Sequence, residues 1–96
     1  MTTSAQDRPT ALDLSREETW VVHAALLDAI ERAVDADEEP TPAPGLLARV
    51  EAGDEDFDSA ELDYLVDALR TYRKRAPARD DHHISRVLEH IEAARV

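Results

Sequence analysis

The sequence has no cysteine, so no disulfide cross-links the chain and no thiolate chemistry is open to it. Aromatic residues make up 4% against 43% hydrophobic residues, so a core must be built mostly from Leu, Val, Ile and Ala. No apolar run approaches the roughly 20 residues that a bilayer-spanning helix needs. The opening stretch MTTSAQDRPTALDLS has no basic start followed by an apolar segment. No secretory signal is read there, and a cytoplasmic location is expected. Lysine is nearly missing too: Lys74 is the only one among eleven cations.

What is abundant is acid. Twenty-two Asp and Glu stand against eleven Lys and Arg, a formal net charge of −11. Such an excess strains a compact state by self-repulsion in dilute buffer. At about 1 M salt the screening length is only about 3 Å, and the repulsion largely disappears. The composition therefore points to a chain adapted to a salty cytoplasm.

At 96 residues the chain is read as one domain, with residues 1–14 as a flexible tail and 15–96 as a helical bundle. Ser15 and Glu18 form a capping box, each side chain placed to satisfy the other's free backbone amide. Helical spacing then runs to Asp35. Trp20, Val22, His23, Leu26, Leu27, Ile30, Ala33 and Val34 fall in one stripe, with Glu17, Asp28, Glu31, Arg32 and Asp35 opposite. Pro40, Pro42 and Pro44 stop this helix. A short helix is expected over about 46–52, ended by Gly53 as a left-handed terminator. Asp58 and Glu61 repeat the capping box, with Phe57 and Leu62 at staple positions, and open a helix over about 59–75. Pro77 ends it. A last helix over about 81–95, capped by Asp80 or Asp81, carries Ile84, Val87, Leu88, Ile91 and Ala94 on one side. No period-two strand or hairpin turn is found. The expected fold is all-α: a compact antiparallel bundle of three long helices and one short helix.

The stretch LSREETWVVHAALLDAIERA, the Pro-rich break, the LLARVEAG turn and the AELDYLVDALRTY helix resemble a family of small, uncharacterised, acidic helical proteins of halophilic archaea. The resemblance spans roughly residues 12–96. It implies a source and a fold, and brings no activity with it.

Four features of the sequence have the residue types of a site. Asp54, Asp56 and Asp58 open like a calcium loop. The sixth and twelfth positions, which need Gly and a bidentate Glu, hold Ser59 and Leu65, so calcium binding is rejected. His82 and His83 point apart, and His90 lies seven residues from His83, about 10 Å along a helix, so no metal site is expected. His23 sits in the apolar stripe with no carboxylate or nucleophile at helical reach on its own face, which marks it as a core or interface residue. Finally, residues 1–69 carry 18 acids and 4 cations (−14), whereas 70–96 carry 4 acids and 7 cations (+3). Arg70, Tyr72, Arg73 and Arg75 lie in that basic segment.

Together these features point to a non-catalytic interaction or regulatory module with an unidentified protein partner, without cofactor, metal or membrane contact. Trp20, His23, Arg70, Tyr72, Arg73 and Arg75 are the candidate contact residues. A homodimer is a candidate assembly, because a core this small leaves apolar stripes to cover. Nucleic-acid or anion binding through residues 70–79 is the alternative, disfavoured because high salt weakens phosphate contacts steeply. A small metal-dependent enzyme using histidines is the second alternative.

Overall fold

The computed structural model describes residues 10–95. A two-residue strand β1 (Thr10–Ala11) is followed by helices α1 (Arg16–Asp35) and α2 (Ala43–Glu51), a second short strand β2 (Asp56–Phe57), and helix α3 (Ser59–Arg73). A 3-10 turn (Ala78–Asp80) then leads into α4 (Asp81–Ala94). α1 is the central element and packs against α2, α3 and α4, while α3 and α4 pack on each other.

Local chemistry sets the helix starts. Ser15 Oγ accepts from the Glu18 amide at 3.1 Å, and Glu18 Oε1 accepts from the Ser15 amide at 2.9 Å. The same reciprocal pair links Asp58 and Glu61 at 2.8 and 2.9 Å. α2 begins at Ala43 rather than near residue 46, because Pro42 occupies its cap position and Pro44 its first turn. An amide is not needed in that first turn, so these prolines start a helix as well as separating two.

The ends of α1 and α2 follow one pattern. Beyond α1, the Glu38 amide donates to Ala33 O (2.8 Å) and the Asp37 amide to Val34 O (3.0 Å). Beyond α2, Asp54 donates to Arg49 O (2.8 Å) and Gly53 to Val50 O (3.0 Å). Both are Schellman closures, which place one residue in the left-handed region. Gly53 (φ 83°) takes it without strain; Asp37 (φ 58°) takes it with a side chain.

Two expectations are corrected here. Residues 1–9 of the expected tail lie outside the described residues, but residues 10–14 are not loose. β1 pairs antiparallel with β2, Thr10 opposite Phe57 and Ala11 opposite Asp56, and the Leu12 amide donates to Glu55 O at 3.1 Å. Leu12 is 3% exposed and belongs to the core. The second correction concerns α1. Its core face is Val21, Val22, Ala25, Leu26 and Ala29, while Trp20 (62% exposed), Leu27 (40%) and Val34 (62%) face outward. The stripe read from spacing is rotated by roughly one residue step of 100° from the buried one. Small Ala25 and Ala29 line the buried side and let neighbouring helices approach closely, whereas larger side chains are left outside.

Candidate interaction surface on the first helix

Trp20, Leu27 and Val34 recur every seven residues, which on a helix places them along one seam. They form the exposed apolar face of the central helix. The Trp20 indole stacks on the His23 imidazole, with ring centroids 5.6 Å apart and planes within 7°. His23 Nε2 lies 3.0 Å from Glu51 Oε2 at the end of α2. A carboxylate only accepts, so Nε2 carries the hydrogen, and Nδ1 is buried without a partner. The neighbouring carboxylate that α1 does not supply thus arrives from α2. The His–Glu pair fixes the ring against Trp20. Among the described residues, no hydroxyl is hydrogen-bonded to that imidazole to serve as a nucleophile.

The basic segment does not converge on one site. Arg73 Nη2 donates to Ser85 Oγ. Its Nε lies 3.0 Å from Asp81 Oδ1 with the N–H not aimed at the oxygen, so that contact is a charge pair rather than a hydrogen bond. Arg75 reaches back to α1, with Nη1 3.4 Å from Asp28 Oδ1. Asp28, expected on the outer side, is buried and also accepts from Arg32 Nε at 2.9 Å. Arg70 lies apart, beside Leu88, Glu92 and Arg95. Arg73 therefore ties α3 to α4, and Arg75, two residues past the end of α3, ties the segment after it to α1.

Tyr72 donates its hydroxyl to Asp80 Oδ2 at 3.2 Å. Asp80 stands at the cap position of α4 but makes no side-chain cap bond. Burial, and next the hydrogen bond to Asp80, push the Tyr72 hydroxyl above its ordinary pKa; burial does the same for Tyr64. A folded-state pKa above the unfolded value of about 10 favours the protonated form in the native state. The resulting stability is fully present below about pH 10 and is lost as pH rises through the folded pKa. Ultraviolet absorbance titration is expected to show tyrosinate forming later in the native protein than in denaturant. The Tyr72→Phe variant should lose part of that lag, leaving Tyr64 to supply the rest. Identical titrations in native and denatured protein would contradict both shifts.

The remaining candidates serve the framework. Asp54 Oδ1 accepts from the Asp56 amide (3.1 Å) and Asp58 caps α3, so the acidic run is spent on local turns. Arg49, missed in the sequence, is the hub there. It pairs with Glu61 Oε2 at 2.6 Å and Asp54 Oδ2 at 3.5 Å, donates to the Asp56 carbonyl, and lies 5.2 Å over the Phe57 ring. His82 and His83 meet edge to face, and His90 Nε2 is 3.4 Å from Glu18 Oε1. Among the described residues no three His, Cys, Asp or Glu are grouped to hold a metal ion, and no helix is long and apolar enough to cross a membrane.

No curated protein and no solved structure matches the chain. A family model does, over residues 12–92, from the buried Leu12 into the last turns of α4. The chain belongs to that family, described as a Family of unknown function (DUF7853).

Proposed function

We propose that the protein is a non-catalytic interaction module of a high-salt archaeal cytoplasm, and that it binds its partner through the outward face of α1. The observation that carries this reading is the exposure of Trp20, Leu27 and Val34 at seven-residue spacing on the central helix. Aromatic and aliphatic anchors on a preformed helix are the usual source of binding energy when a second helix is laid alongside. The formal charge of −11 and the single lysine support the high-salt setting.

Affinity purification in about 1 M KCl, where long-range charge attraction is screened, tests the reading. The tagged wild type is expected to retain a protein, either another chain or its own untagged copy. The Trp20→Glu/Leu27→Glu variant should lose it while keeping its helical circular dichroism. Identical retained proteins from both would refute the assignment of the surface.

A further inference from the structure

The exposed seam of α1 has unlike ends. At the Trp20 end, Arg16 and Arg79 flank the indole together with Glu17 and His83, around a groove of ≈ 420 Å³. Asp80, on the same groove, is turned inward to Tyr72. At the other end, about 21 Å along the helix, exposed Glu31 and Asp35 flank Val34. Neither Arg16 nor Arg79 has an ion-pair partner among the described residues, and neither do Glu31 and Asp35. Glu17 is unpaired among the described residues as well, so at the Trp20 end two arginines outweigh one carboxylate; the seam presents net positive charge there and unused negative charge at the other end, with apolar residues between them.

A surface of this pattern fits its own image turned end for end. We propose that the occupant of the α1 seam is a second copy of this chain, docked antiparallel about a two-fold axis through the middle of the seam near Leu27. The proposal rests on the interaction reading above and names its partner. Under that axis Trp20 of each copy lies toward Val34 of the other, and Leu27 lies near its own counterpart. Each Arg16–Arg79 end meets the partner's Glu31–Asp35 end. A two-fold contact must be self-complementary in this way, because the same patch serves both sides. A parallel pairing would set like charges together at both ends, which disfavours it. A foreign basic helix would match the acidic end and be repelled at the other.

Sedimentation of the full chain in about 1 M KCl is expected to show a concentration-dependent dimer. Trp20→Glu/Leu27→Glu should weaken it at least about tenfold. The decisive comparison uses two charge-reversed chains at lower salt, Arg16→Glu/Arg79→Glu and Glu31→Arg/Asp35→Arg. Each alone should self-associate at least about tenfold more weakly than wild type. An equimolar mixture of the two should recover a heterodimer, since both ends then meet opposite charge. Circular dichroism checks that every variant is folded.

A wild type that stays monomeric at high micromolar concentration overturns the proposal, as does a dimer that survives Trp20→Glu/Leu27→Glu. A mixture that associates no better than its separate components overturns the antiparallel arrangement and the proposal with it. If the wild type is monomeric yet still retains a foreign protein that the seam variant loses, the interaction reading stands and the self-partner fails.

Discussion

Phe57→Ala is expected to strip the protein of most of its stability, leaving it close to its unfolding midpoint at room temperature. Phe57 is the only phenylalanine, is fully buried, and enters the core from β2 one residue before the α3 cap. Its ring also carries the Arg49 guanidinium, so the substitution removes packing below and a cation contact above. Truncating a buried Phe costs about 3–5 kcal/mol, against a total of roughly 5–15 kcal/mol for a domain. A short chain without disulfides belongs at the low end of that range.

Leu12→Ala gives the sharper comparison. It lies in a segment that composition marks as a tail, yet its burial predicts a loss of about 2–5 kcal/mol. Leu27→Ala, the same chemical change on the outer face, should cost less than about 0.5 kcal/mol in protein dilute enough to be monomeric. Urea unfolding at fixed high salt reads all three. Equal effects for Leu12→Ala and Leu27→Ala would show that residues 10–14 do not pack on the core.

This contrast marks where the fold was legible in the sequence. The helix starts were legible because a capping box is written within four residues: Ser15 with Glu18, and Asp58 with Glu61. Gly53 was legible as a terminator for the same reason of locality. The stripe of α4 was also legible: Ile84, Val87 and Ile91 are buried, because polar residues bound them closely on both sides. α1 is different. Its apolar residues extend around most of the helix, so spacing alone leaves two overlapping candidate faces. The choice is made by three neighbouring helices, and it favours the side with small alanines over the side with tryptophan. The β1–β2 pairing was beyond reach because two residues cannot display a period of two, and their partners are distant in sequence.

The candidate surface was half legible. Trp20 and His23 stand out in the sequence, but as members of a buried stripe. The exposure of Trp20 is set by which side of α1 the other helices cover, and the Glu51 carboxylate that holds half-buried His23 is brought near by α2 folding back along α1. The basic segment stood out by composition, but Arg73 and Arg75 found acids that only the tertiary fold brings near. Asp28 shows why: a carboxylate facing away from a helix's apolar stripe need not face water when another helix packs on that side.

Salt is expected to produce the largest change available without altering a residue. Two terms oppose each other as ionic strength rises. The ion pairs linking elements, such as Arg73 with Asp81 and Arg95 with Asp63, lose attraction. At the surface such pairs are worth about 0–1 kcal/mol each. Against them stands the repulsion within 22 acids matched by only 11 cations. It is densest at the end of α1, where Asp35, Asp37, Glu38 and Glu39 crowd the negative end of the helix dipole. Contracting the screening length from about 10 Å at 0.1 M to about 3 Å at 1 M removes most of that long-range repulsion. The closest pairs are relieved less. Repulsion should therefore win, with a gain on the order of 2 kcal/mol, which for a domain of this size raises Tm by about 8–16 °C. Calorimetric or circular-dichroism melts in KCl measure it directly. KCl, unlike sulfate, adds little general salting-out, so the rise reports charge. The Glu38→Gln/Glu39→Gln variant is then expected to melt higher than wild type at about 0.1 M and to gain less from added salt. If wild type melts identically at both concentrations, its acidity carries no cost in dilute buffer, and the argument for a salt-adapted fold loses its physical basis.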